Sequence, residues 1–236
     1  MSDQCPACNG IGWQRFDTQP GDGRFGQLIP CELCGESRRA EWLLQLSRLS
    51  PEMQEWRLDG FRARSKGLES IVPDIERAMA QGRGWVTLSG PYGTGKTYLL
   101  AAIANEARLA GRAAVYTTMA DLLGDLRDSF DPKSGKGYSG LLAAVSEASV
   151  LCLDEVEKFR TTEWAEEVFF RLIESRYREW TDKLTVLATN RRIGLDAAVL
   201  DGTRYPGYLE SRIMDGRFWQ IDAFWLASDA RPALRA

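Results

Sequence analysis

Eight consecutive residues, Gly90-Pro91-Tyr92-Gly93-Thr94-Gly95-Lys96-Thr97, carry the clearest chemistry in the chain. Glycines at this spacing let a backbone wrap a phosphate chain and aim its N–H groups at the oxygens. A lysine then supplies counter-charge to the β- and γ-phosphates, and the closing hydroxyl suits magnesium. An apolar strand, Trp85 to Leu88, precedes the loop, and a helical run, Tyr98 to Ala110, follows it. The phosphates are therefore expected at a helix N-terminus, where the helix dipole favours negative charge. A nucleotide with Mg2+ is the expected ligand, held by Gly90 to Thr97.

Two further strand tips fit that loop. Residues 150–155 read as a buried strand ending in Asp154 and Glu155. In a phosphate-loop ATPase the first acid helps hold hydrated magnesium, and the second is placed to orient or activate the attacking water. Two acids closing a strand can also cap a helix, but the upstream loop favours the magnesium reading. A third strand, Leu184 to Ala188, ends in Thr189-Asn190, and Asn190 can reach a γ-phosphate or the water beside it.

Four of the five cysteines form Cys5-x-x-Cys8 and Cys31-x-x-Cys34, whereas Cys152 sits inside an apolar run and reads as core. Two matched short-spaced pairs suit a structural Zn2+ site of four thiolates with no open position for water. Two disulfides or a redox-active pair are the competing readings; nothing points to export, which disfavours the first. Residues 1–36 carry a net charge of about −3, so a protein partner suits this module better than a phosphate backbone. The chain has no histidine, which removes histidine triads and histidine metal ligands.

These residues need a scaffold, and the remaining pattern supplies one. The 236 residues are 44% hydrophobic and 27% charged, the profile of a globular protein rather than a disordered one. No apolar run is long enough for a membrane helix, and the polar start has no basic segment followed by an apolar one, so a cytoplasmic location is expected. A net charge of −3 gives no global attraction to duplex nucleic acid. Beyond the strands already named, Ala113 to Thr117 reads as a strand, with helices over Met119 to Ser129, Gly140 to Ala148 and Glu163 to Trp180. Strands separated by helices predict an α/β fold: a parallel sheet flanked by helices, with ligands at the carboxyl ends of the strands. Residues 37–60 read as a helical connector, with Trp42, Leu43, Leu46 and Leu49 at helical spacing, packing either on the next domain or on a partner. A Gly-rich break over residues 81–84 places the start of a new core. The segment Asp128 to Gly140, with Lys133, Lys136 and Tyr138, reads either as a solvated loop or as a contact for single-stranded DNA, which tyrosine stacking and lysine charge suit.

The order GPYGTGKT, VLCLDE, Leu172 to Tyr177, LATN and Leu209 to Ile213 resembles the AAA+ ATPases of the DnaC and IstB kind, which are bacterial or phage helicase loaders and transposition helper ATPases. The resemblance covers residues 42–231. It implies a Walker A loop at Gly90 to Thr97, a Walker B pair at Asp154 and Glu155, a sensor 1 residue at Asn190, and an arginine finger at Arg212 acting on a neighbouring subunit's nucleotide. Arg231 resembles the late arginine that does the sensor 2 job. Only 46 residues follow Asn190, so a truncated lid is expected. The implied domains are a zinc module (1–36), the connector (37–60) and the AAA+ domain (61–236). The implied function is ATP-dependent loading of a replicative helicase onto single-stranded DNA, by a chain that forms homo-oligomers when nucleotide-bound, with the zinc module on the helicase. A transposition helper and a non-hydrolysing adaptor are the alternatives. The front module is similar both to loader zinc domains and, in its CxxCxGxG start, to chaperone zinc modules.

Overall fold

The computed structural model describes residues 5–8, 13–15, 28–33, 43, 46–62, 68–130, 138–193 and 207–226. At the front, β1 (Trp13–Arg15) pairs antiparallel with β2 (Leu28–Pro30). The main sheet is built from β3 (Gly84–Ser89), β4 (Ala114–Thr118), β5 (Val150–Asp154), β6 (Leu184–Thr189) and β7 (Trp219–Ile221). These five strands run parallel in the order β4-β5-β6-β3-β7. The helices are α1 (Ile71–Gln81), α2 (Lys96–Leu109), α3 (Met119–Asp128), α4 (Tyr138–Glu147), α5 (Glu163–Arg178) and α6 (Gly207–Ile213). The predicted parallel sheet flanked by helices is the observed architecture.

Side-chain alternation along the strands explains the two layers. Val86, Leu88, Tyr116, Cys152, Val186 and Ala188 face one cluster, shared with α1 and α2. Trp85, Val115, Leu151, Leu153 and Leu187 face the other, shared with α3 to α6. Successive residues of a strand point to opposite faces, so a sheet covered on both faces needs apolar residues at nearly every position. That is why the central strands read as largely apolar runs, interrupted by the buried Thr87 and Thr185. On α2, Ala101, Ala102, Ala104 and Ala107 are buried beside Leu99, Leu100 and Ile103; their short side chains let the helix lie close to the sheet.

The core does not begin at the break over residues 81–84. Leu43 and Leu46 enter the α3–α6 cluster, while Leu49 and Leu58 enter the α1–α2 cluster. The backbone between them runs along the edge of the sheet: Arg48 N–H donates to Tyr116 O (2.9 Å), and Ser47 Oγ accepts from Tyr116 N–H (2.8 Å). This segment covers the exposed edge of β4 and so blocks strand addition there. Asn105 on α2 then donates to Met53 O and Trp56 O, and Trp56 stacks on Tyr98 at 4.9 Å. The break itself is a tight cap, with Gly82 left-handed at φ 68° closing α1.

Predicted and observed boundaries agree within a few residues. The expected connector helix shows helical backbone at Leu43 and Leu46, and residues 47–50 are irregular. The edge strand β7 has no counterpart among the elements predicted from the sequence.

Candidate functional site

Strands β5, β6 and β3 are neighbours, and their carboxyl ends carry the three motifs side by side. Ser89 and Thr189 are in register across β3 and β6. The loop after β3, the carboxylates ending β5 and Asn190 after β6 therefore share one edge of the sheet.

In the loop, Gly93 and Gly95 take φ of 76° and 98°, a region glycine enters without steric cost. An added Cβ at Gly95 would lie 2.7 Å from the Phe61 ring, and one at Gly90 would lie 2.2 Å from Phe224 Cβ. The Thr94 hydroxyl donates to Pro91 O at 2.9 Å and braces the turn. Lys96, 5% exposed, folds back so that its ammonium donates to Gly90 O and Pro91 O, both at 2.7 Å. Burial lowers its pKa to about 8, against the opposing fields of Asp154, Glu157 and Glu155. Among the described residues no carboxylate forms an ion pair with it. A buried ammonium held only by carbonyls of its own loop is a counter-charge lacking its anion, and a nucleotide phosphate fits that donor.

Asp154 is held from three directions. Thr97 Oγ1 donates to Oδ2 at 2.6 Å, the Tyr116 hydroxyl donates to the same oxygen at 3.1 Å, and Glu155 N–H donates to Oδ1 at 2.8 Å. Burial raises the Asp154 pKa, and these hydrogen bonds oppose the rise. The joined Thr97 hydroxyl and Asp154 carboxylate are the hard oxygen donors a magnesium ion takes. Glu155 adopts φ 50°, an uncommon conformation for a residue with a side chain. Its Oε1 pairs with Lys158 Nζ at 2.5 Å, and Lys158 lies 4.6 Å from the centre of the Tyr92 ring. Asn190 donates to Glu157 Oε1 from its side-chain Nδ2 (2.7 Å) and its backbone N–H (3.2 Å).

Comparison with known proteins agrees with this geometry. Residues 28–209 match the family described as IstB-like ATP binding protein. The chain belongs to that family. The replicative helicase loader DnaC of Escherichia coli (strain K12) is 26% identical over 133 residues, 55% of this chain and 54% of the relative. The chain thus spans about half the length of that curated relative. Among solved structures, the replication initiator DnaA bound to AMPPCP and single-stranded DNA matches with a TM-score of 0.59 and 24% identity, over 74% of this chain and 51% of that one. The DnaC helicase loader matches with a TM-score of 0.52 and 21% identity, over 70% and 90% respectively. These structures share the AAA+ P-loop fold.

For this IstB-like chain the remaining expected site residues divide. Arg212, on α6, donates to Glu174 Oε2 on α5 at 2.9 Å and lies 4.6 Å from the centre of the Tyr177 ring; its Nε is buried with no hydrogen-bond partner among the described residues. None of these contacts is with the phosphate loop or the Asp154–Glu155 pair. The Sγ atoms of Cys5, Cys8 and Cys31 lie within 4.8 Å of one another, and Cys5 and Cys31 are 3.6 Å apart. Two thiolates on one tetrahedral zinc stand roughly 3.8 Å apart, from a Zn–S length of about 2.3 Å, and among the described residues no disulfide joins cysteines. Cys34, Arg231, Lys133 and Lys136 lie outside the described residues. Cys152 is fully buried, and burial raises its thiol pKa, as the core reading requires.

Several residues at the site escape a reading of the sequence. Tyr116 gives a signal, a polar-tipped ring in a buried strand, which demands a partner. Glu157 gives none. Phe224 and Trp225, in the 3-10 turn Ala223–Leu226, close the base of the loop; Trp225 Nε1 donates to Ser89 Oγ at 2.8 Å.

Proposed function

We propose that this chain is an ATP-hydrolysing loader that places a replicative DNA helicase on single-stranded DNA. The observation that supports it most is the buried Lys96 ammonium beside the Thr97–Asp154 pair, at the sheet edge that also carries Glu155 and Asn190. The likeness to the helicase loader DnaC supports loading among the uses of ATP open to such a chain.

In this reading the Lys96 ammonium leaves the Gly90 and Pro91 carbonyls and donates to the β- and γ-phosphate oxygens, while the N–H groups from Gly90 to Thr97 cradle the chain. Thr97 and Asp154 would hold magnesium, whose positive charge stabilises charge on the phosphate oxygens. Glu155 exchanges Lys158 for the attacking water and orients it, accepting its proton as the Pγ–O bond to ADP breaks and the products ADP and phosphate form. Asn190 donates to the terminal phosphate or the water. Arg212 acts on nucleotide held by a neighbouring copy, which makes hydrolysis depend on assembly into a homo-oligomer, and Arg231 serves as sensor 2. Residues 1–36 form a zinc module, with Cys5, Cys8, Cys31 and Cys34 as ligands, that grips the helicase. Residues 37–60 connect it to the AAA+ domain, which contacts single-stranded DNA.

The test is reconstitution with the replicative helicase of the same cell or virus. The parental chain should co-elute with the helicase and transfer it to circular single-stranded DNA only when ATP is present. Glu155→Gln should bind ATP and lose hydrolysis, and Cys8→Ser should lose helicase binding while keeping nucleotide. Parental chain that hydrolyses ATP but never engages a helicase would overturn the loader reading.

A further inference from the structure

Glu157, two residues beyond the Asp154–Glu155 pair, has no part in the mechanism above, yet it holds one of that mechanism's groups. Its Oε1 takes both the side-chain and the backbone N–H of Asn190, and its Oε2 is buried with no hydrogen-bond partner among the described residues. Its field on Lys96 ranks between those of Asp154 and Glu155. Glu157 is thus hydrogen-bonded to the β6-tip amide and close enough to the phosphate-loop lysine for its charge to be felt there. Its neighbour Lys158 is ion-paired with Glu155.

We infer that Glu157 is a positioning residue that sets the discrimination between nucleoside triphosphate and diphosphate, by holding the Asn190 amide with a negative charge that a γ-phosphate must approach. The inference rests on the nucleotide reading of the site. Asn190 Nδ2 carries two hydrogens, so it can keep Glu157 and still reach an oxyanion. Two anions would then face each other across one amide where water is scarce, and that repulsion weakens triphosphate binding. A diphosphate has no group there and does not feel it. Were Glu157 merely a pin for the tip of β6, a neutral side chain of the same shape, still able to accept from Asn190, would serve as well.

Equilibrium binding of a non-hydrolysable ATP analogue and of ADP, each with magnesium, to the full chain separates these roles. Glu157→Gln should tighten the triphosphate by about five- to ten-fold, the difference between a charged and a neutral acceptor, and leave ADP within about two-fold. Glu157→Asp keeps the charge and should retain the parental ratio. Adding Glu157→Gln to Asn190→Ala should still tighten the triphosphate relative to Asn190→Ala alone, because the repulsion acts through space and not through the amide. A triphosphate-to-diphosphate ratio that is unchanged or lowered in Glu157→Gln overturns the inference. Parental chain that binds neither nucleotide overturns the nucleotide reading instead, and Lys96→Ala serves as the non-binding reference.

Discussion

Lys96 and Arg176 are both buried cations on helices packed against this sheet, and the fold treats them differently. Arg176, fully buried on α5, spends its guanidinium on fixed partners: Nε donates to Thr185 Oγ1, Nη1 to the Ala148 and Ser146 carbonyls, and Nη2 to Leu184 O, at 2.7 to 3.0 Å. Those carbonyls belong to the end of α4 and the start of β6, so the planar fork ties helix to strand at the amino end of the sheet. Lys96, at the carboxyl end, has two carbonyls of its own loop and a pKa pulled down by burial. Burying a charge is costly at either position. At Arg176 the protein's own acceptors offset that cost; at Lys96 it stays open for an incoming anion. A satisfied buried cation marks structure, and a half-satisfied one marks a site.

The largest effect should come from breaking the satisfied cation. Arg176→Ala removes the donors serving buried acceptors, and it should cost about 3 to 5 kcal/mol of stability, read as a lower midpoint in denaturant. Arg176→Lys should recover only part of this, since one ammonium cannot span a fork. Nucleotide affinity of the fraction that stays folded should be unchanged. A midpoint close to the parental one would mean that the two cations do not differ in kind.

Lys96→Ala should do the reverse. It should weaken ATP binding by about a hundred-fold or more, some 2.7 kcal/mol, and leave the stability of the nucleotide-free chain unchanged or slightly raised, because a desolvated charge is gone. The pH dependence follows from the same group. Its folded pKa of about 8 lies below its ordinary 10.5, so its unfavourable contribution to stability is fully present below pH 8 and is relieved as pH rises from 8 toward 10.5. A bound phosphate raises that pKa again. ATP affinity should therefore fall above pH 8, by up to about ten-fold per pH unit, with proton uptake on binding that calorimetry in buffers of different ionisation heat can count. Binding without proton uptake at pH 8 would mean that burial does not lower the Lys96 pKa in the nucleotide-free chain.

This contrast also explains what the sequence shows and what it hides. The phosphate loop, the Asp154–Glu155 strand end and Asn190 are legible because each is a short contiguous pattern whose chemistry depends on neighbours in the chain. Two-sided burial makes β3, β5 and β6 legible as largely apolar runs. Arg176 reads only as one letter of a family segment, because its partners lie 8 to 31 positions away and depend on how α4, α5 and β6 meet. Glu157 is invisible for the same reason: its contact with Asn190 crosses from one strand tip to another. At three residues, β7 is too short for its pattern to stand out. Leu43 and Leu46 keep the helical backbone that their spacing suggests, whereas residues 47–50 leave it and run along the edge of β4, where tertiary packing outweighs weak local propensity.

Arg212 lies between the two extremes and gives the smallest predicted effect on the free chain. Its ion pair with Glu174 joins side chains that are 25% and 19% exposed, while its buried Nε lacks a partner among the described residues. By the rule drawn from Lys96 and Arg176, such a half-satisfied cation is available to another group. Breaking the pair with Glu174→Gln should change stability by less than about 1 kcal/mol, the range for partly exposed pairs. If Arg212 serves a neighbouring copy's nucleotide, the same substitution frees the guanidinium and should raise hydrolysis per chain in the assembled protein by a few-fold, with no change in the affinity of a single chain for ATP. Arg212→Ala should keep that affinity and flatten the rise of hydrolysis with protein concentration. Mixing it with Lys96→Ala tests the geometry directly, because one interface in the mixture joins an intact Lys96 loop to an intact Arg212 and should recover turnover that neither variant has alone. If the mixture stays inactive and parental turnover per chain is independent of concentration, Arg212 is a structural link between α5 and α6, and it belongs with Arg176.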